Sequence, residues 1–137
     1  MAFRFEQKVL FKHCDPARIV FFPRYFEMMN DCVEMYFDQV LDAPFEHLHQ
    51  DAAVPTAQIE TRFSAPSRHG DTLILSLHIT AVGRSSMRYR MRAHAGDELR
   101  FDTTATLVHV GLNGKAAPWP DDLRARLLAE KDNEHES

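Results

Sequence analysis

The sequence predicts an α+β domain in which one antiparallel β-sheet wraps around a single long central α-helix. Three observations carry this. A helix starting near Phe22 is apolar on all but one narrow stripe, so most of it needs cover. Later stretches alternate apolar and polar residues, the two-residue period of half-buried strands. The links "VGRS" and "AGDE" are short enough for hairpins, which makes the last strands antiparallel neighbours.

The elements follow in order. Phe3, Phe5, Val9 and Phe11 alternate with Arg4, Glu6, Lys8 and Lys12, a first strand that Pro16 terminates. The bond before Pro16 holds Asp15 extended. Pro23 suits the first turn of the helix. Arg24, Glu27, Asp31, Glu34 and Asp38 recur at steps of three and four and trace its polar stripe. Tyr25, Phe26, Met28, Met29, Cys32, Val33, Tyr36, Phe37, Val40 and Leu41 cover the rest and are expected in the core. Residues 42–55 read as a mixed connection. Strands are expected at 58–63, 72–82, 86–95 and 101–110, the last two joined across Gly96-Asp97. A short polar helix after Pro120 closes the chain, with 131–137 expected as a frayed, disordered tail.

Composition bounds the function. A chain of 137 residues suits one domain spanning 1–137, and 45% hydrophobic with 26% charged residues is ordinary for a globular protein. A formal net charge of -4 argues against nucleic acid as the partner. No run is long enough to span a bilayer, and the alternating N-terminus lacks the pattern of a signal peptide. Cys14 and Cys32 form no CxxC pair and no disulfide framework, which fits a reducing cytoplasm.

Several residues invite chemistry. Asp15 stands at the mouth of a buried helix, where desolvating a carboxylate is costly. Taken alone it reads as the side-chain cap of a turn. Cys14 beside His13 suggests a nucleophile and base, but adjacent extended residues point to opposite faces, so Cys14 reads as packing. His47 and His49 could share a face, yet no further spaced ligands accompany them, and no metal site is expected. Arg88, Arg90, Arg92 and His94 lie on one outer strand face, either solvated or facing an anionic ligand or second subunit.

The stretch "HCDPARIVFFPRYFEMMND" resembles the acidic loop and helix start of 4-hydroxybenzoyl-CoA thioesterases of the hot-dog fold. "RFSAPSRHGDTLIL" and "VGRSSMRYRM" resemble the strands that follow, and the likeness runs from about residue 5 to 127. It implies a sheet wrapped around a long helix. It also implies hydrolysis of an acyl-CoA, aromatic such as 4-hydroxybenzoyl-CoA or of medium length, to free acid and CoA. Asp15 matches the catalytic carboxylate, as nucleophile or general base. The backbone N–H of Phe22 matches the donor to the thioester oxyanion, a role that the unpaired N–H groups of a helix N-terminus serve well. Arg84, Ser85 and Ser86 match a CoA-binding segment, with Arg88 as an addition; their plain reading is a polar turn. No cofactor is implied beyond the CoA thioester itself as substrate.

This chain departs from the family's pattern at three places. Arg18 stands where the family commonly has glycine, Phe22 where it has tyrosine, and Pro23 where a short-acyl branch has histidine. The last points to the aryl-CoA branch. The family assembles as dimers of dimers, so a homo-oligomer is expected. Two other readings stay open: an acyl-CoA hydratase, and a non-catalytic acyl-CoA or acyl-carrier binding module. The hydratase usually needs a histidine near the helix, and none lies between His13 and His47.

Overall fold

Alternation along the central strands sets the architecture. Leu73, Leu75, Leu77 and Ile79 are buried, as are Met87, Tyr89, Met91 and Ala93 beside them. Burial of each Leu, Ile and Met side chain among them is worth about 1.5–3 kcal/mol. The computed structural model describes residues 2–136. Its elements are β1 (Phe3–Lys8), a 3-10 turn (Phe11–His13), α1 (Phe22–Gln39), α2 (Phe45–Leu48), β2 (Ala52–Ala53) and β3 (Thr56–Phe63). There follow β4 (Thr72–Val82), β5 (Ser86–Ala95), β6 (Glu98–Val108), β7 (Val110–Gly111) and α3 (Asp121–Glu136).

Five strands form one antiparallel sheet in the order β1-β4-β5-β6-β3, and β2 pairs with β7 in a small ribbon. Helix α1 buries Met28, Met29, Cys32, Tyr36 and Phe37 against the inner face of the large sheet. The expected α+β arrangement, a sheet around one long helix, is what the chain adopts.

The expected bounds hold for β4, β5 and the start of α1, and shift at the other strands and at α3. The first strand stops at Lys8, because the chain turns at Phe11–His13. Phe11 is therefore 81% exposed instead of facing the core. The strand expected at 101–110 starts at Glu98, since the ladder runs up to the Ala95–Glu98 pair around Gly96, whose φ of 59° suits glycine. It breaks after Val108, where His109 leaves the ladder to donate its N–H to Ser85 O at 2.7 Å. Helix α3 is longer than expected and runs through most of the anticipated tail to Glu136; Ser137 lies outside the described residues.

Helix α3 packs Leu123 and Leu127 inward, and Arg126 donates to the Leu41 and Asp42 carbonyls just past the C-terminus of α1. Strand β3 is an edge, and its only half-buried residue is Thr61. On the outer face Arg90 makes a two-point contact with Asp102 across strands, at 3.1 and 2.7 Å. No helix among the described residues is long and apolar enough to cross a membrane.

Candidate active site

The segment from His13 to Phe22 folds back on itself. Cys14 bridges Val20, the Asp15 N–H donates to Ile19 O at 3.0 Å, and the Phe21 N–H donates to His13 O at 2.9 Å. At the tip, Asp15 Oδ1 accepts the Ala17 N–H at 2.8 Å, and Asp15 O accepts the Arg18 N–H at 2.8 Å. This is the turn-capping contact that the residue type suggests, and it leaves Oδ2 uncommitted within the described residues. Arg18 has φ +67°, the left-handed region that glycine enters without strain. The loop therefore closes at a conformational cost carried by Arg18.

The loop delivers the chain to the start of α1, and that start is uncapped. Phe21 at the N-cap offers no side-chain acceptor, the first turn holds no acidic residue, and Pro23 has no N–H. The Phe22 N–H makes no hydrogen bond to any described residue, so a donor at the positive end of the helix stays open. Phe22 is 57% exposed and faces Phe63 at a centroid distance of 6.3 Å.

A cleft of about 580 Å³ opens here, between Ile19 and Val20 of the loop, Phe22 and Tyr25 of α1, and the chain leaving β3 at Phe63 and Ser64. A larger groove of about 870 Å³ runs along α1 past Met29 and Val33 to Val54 and Tyr89. Size alone would favour the groove, but its lining includes no residue of the acidic loop. Phe26 faces the groove and Phe63 the cleft, and their rings meet edge-on at 6.3 Å, so the two share a wall.

Beneath the loop lies a polar cluster that sequence reasoning did not find. Arg100, 12% exposed in its side chain, donates to Pro66 O (3.1 Å), Ser67 Oγ (3.0 Å) and Asp71 Oδ2 (2.8 Å), and Glu98 lies 2.8 Å from its Nε. Ser67 O in turn accepts the Val20 N–H at 2.8 Å. The Arg100 hydrogen bond holds the Asp71 carboxyl below its ordinary 3.8, and Asp71 keeps Arg100 charged against its burial. Burial raises the Tyr25 phenol beside this cluster. The contacts join residues some 30 apart, a spacing with no local signature.

His13 and Cys14 do not pair with each other. His13 is buried and its Nδ1 accepts the Leu10 N–H at 2.9 Å, whereas Cys14 Sγ donates to Leu10 O at 3.7 Å. Burial pushes the Cys32 thiol up to about 12, which leaves it inert. His49 tilts against Phe45 at 4.8 Å.

Arg84, Ser85 and Ser86 share the tight link between β4 and β5. Arg84 is exposed and forms no ion pair with a described residue. Arg88 is exposed two residues further on, on the outer face of β5 opposite α1. The fold does not bring this turn to Asp15 within one chain. Met87 and Thr56 both oppose Leu107, while Phe63 and Ala93 both oppose Phe101. The turn thus lies at the Thr56 end of β3 and the acidic loop at the Phe63 end, about 23 Å away for seven extended steps.

Residues 9–127 match the family model of the thioesterase-like superfamily. No curated protein matches the sequence. Among solved structures, a 1,4-dihydroxy-2-naphthoyl-CoA thioesterase from Synechocystis is similar at 21% identity and TM-score 0.85, covering 93% of this chain and 96% of its own. A gentisyl-coenzyme A thioesterase is similar at 19% identity and TM-score 0.84, covering 90% and 98%. A Staphylococcus aureus protein solved in complex with CoA is similar at 14% identity and TM-score 0.87, covering 97% and 85%. At these identities the likeness establishes the hot-dog fold.

Proposed function

The chain belongs to the thioesterase-like superfamily, and we propose that it hydrolyses an acyl-CoA thioester to the free acid and CoA. One observation carries the reading: the loop that bears Asp15, whose carboxylate keeps an uncommitted oxygen, lines through Ile19 and Val20 the same apolar cleft as Phe22, whose N–H is open at the helix N-terminus. Asp15 serves as nucleophile or general base, and the Phe22 N–H receives the oxyanion. In direct attack an Asp15 oxygen bonds the acyl carbon, the C–S bond breaks with CoA leaving as thiolate, and water cleaves the anhydride. In base catalysis Asp15 takes a proton from the attacking water, and the thiolate leaves from the tetrahedral intermediate. Neither route needs a metal or an organic cofactor.

Phe22, Tyr25 and Phe63 make the cleft aromatic, which supports an aryl acyl group such as 4-hydroxybenzoyl or a medium-length chain. Arg84, Ser85 and Ser86, with Arg88, bind the CoA phosphates. The chain acts as a homo-oligomer, a dimer of dimers. The exposed β3 edge supports this, because antiparallel pairing of two such edges sets the Phe63 end of one copy beside the Thr56 end of the other. Each acidic loop then lies near a partner's phosphate-binding turn.

Thiol release from a panel of acyl-CoAs, trapped with a chromogenic disulfide, tests the reading. Asp15→Asn retains an oxygen for the Ala17 N–H, so folding is expected intact while kcat falls at least about a hundredfold. Hydrolysis of the best substrate at the wild-type rate would reduce Asp15 to a turn cap.

A further inference from the structure

The link from β4 to β5 is closed by the Gly83 N–H, which donates to Ser86 O at 2.8 Å, and is held from outside by a second set of donors. Gly83 O accepts Arg124 Nε–H at 3.4 Å, Arg84 O accepts the Trp119 N–H at 3.0 Å, Ser85 O accepts the His109 N–H at 2.7 Å, and Ser86 O accepts Trp119 Nε1–H at 3.0 Å. All four carbonyls of the turn are therefore taken by residues 109–124. In a trans peptide the carbonyl and the following N–H point in opposite directions, and the chain has no cis bond. The Arg84 and Ser85 N–H groups consequently face away from these donors, and neither has an acceptor among the described residues. Two successive N–H groups of a turn can bind one anion together, and the exposed Arg84 adds a positive charge to the same turn.

The holding residues are themselves fixed. Trp119 is 2% exposed, and its ring tilts against His109 at 5.1 Å. His109 Nδ1–H donates to Ala117 O at 2.8 Å, and the Ala117 N–H returns to His109 O at 2.9 Å. A Cβ added at Gly83 would meet Ser86 Oγ at 2.5 Å, so the serine hydroxyl would have to turn away.

We propose that Trp119, braced by His109 and assisted by Arg124, is a positioning residue for recognition of the CoA phosphates. It ties down the carbonyls of residues 83–86, so that the N–H groups and Arg84 are presented outward before ligand arrives. The inference rests on the proposed role of the turn in CoA binding. It goes beyond that role in assigning the affinity to a clamp some 30 residues away in sequence, one that touches no substrate atom.

The test compares two thioesters of one acyl group, the CoA ester and the N-acetylcysteamine ester, which has the same reacting bond and no phosphate. Trp119→Phe removes the indole donor and keeps most of the aromatic packing. The KM for the CoA ester is expected to rise about three- to tenfold, the range for one lost hydrogen bond, with kcat unchanged and the short ester unaffected. Equal losses on both esters would mark Trp119 as general support and overturn the proposal. Arg84→Ala is run alongside. A KM increase there with none in Trp119→Phe overturns the clamp alone. No increase in either overturns the CoA reading of the turn, and the clamp with it. Should Trp119→Phe fail to fold, Arg124→Met removes only the donor to Gly83, and the same selective increase is expected at about twofold; no increase overturns the proposal.

Discussion

Replacing Arg18 with glycine tests the backbone geometry that carries Asp15. Arg18 has φ +67° and donates its N–H to Asp15 O, closing the turn at the loop tip. A left-handed conformation costs an L-residue about 1–2 kcal/mol. Glycine removes that cost but has more freedom to lose on folding, about 0.4–1 kcal/mol. The balance favours glycine by about 0.5–1 kcal/mol. With about 2.1 cal/mol/K of unfolding entropy per residue, 137 residues give about 0.29 kcal/mol/K, so the melting temperature should rise by about 2–3 °C. Arg18→Ala supplies the reference, because it deletes the side chain and keeps the strain. Its expected change is within about 0.5 kcal/mol of wild type. Scanning calorimetry on the three proteins reads the difference. Glycine no more stable than alanine would mean that residue 18 is not left-handed in solution, and the loop geometry argued for Asp15 would fall.

Arg100→Met removes three hydrogen bonds and leaves Asp71 without its cation, so urea denaturation should register a loss of about 2 kcal/mol or more; a loss under about 0.5 kcal/mol would refute a structural role for the cluster. Burial, then Lys12 and Arg24, lowers the His13 imidazole below 6.5 against Glu27 and Asp31, so the unfolded chain binds that proton more readily. Stability from neutral His13 is present above about pH 6.5 and is lost as pH falls toward the folded value. His13→Asn keeps an acceptor for the Leu10 N–H and cannot protonate, so its deficit relative to wild type should shrink between pH 7.5 and 5.5; a constant difference would refute the assignment. Light scattering at working concentration should give a tetramer mass, and a monomer would remove the argument for shared sites.

Local pattern alone reached much of the fold. Strands 72–82 and 86–95 were legible to the residue because their inner and outer faces alternate from Leu73 to Ile79 and from Met87 to Ala93. The start of α1 was legible because the apolar period begins at Phe22 with Pro23 in the first turn. The Asp15 loop was also visible, since Asp before Pro imposes a turn whatever surrounds it. Phe11 shows the limit, for it keeps the alternation of β1 yet lies outside the strand, where the chain turns to begin the loop.

The rest was decided by contacts between distant residues. Arg100 meets Asp71 and Ser67 only because β6 runs beside the segment leaving β3, and nothing near residue 100 announces a partner 30 positions earlier. Trp119 reaches the turn at residues 83–86 only once His109 has left the β6 ladder and the chain has folded back. The placement of the Asp15 loop and the Arg84 turn at opposite ends of the strands is likewise a property of the sheet, because both motifs read equally well whatever distance separates them. Side-chain periodicity is written into each strand, whereas hydrogen-bond partners across the fold depend on which strands become neighbours. That choice is made by burying the whole core at once.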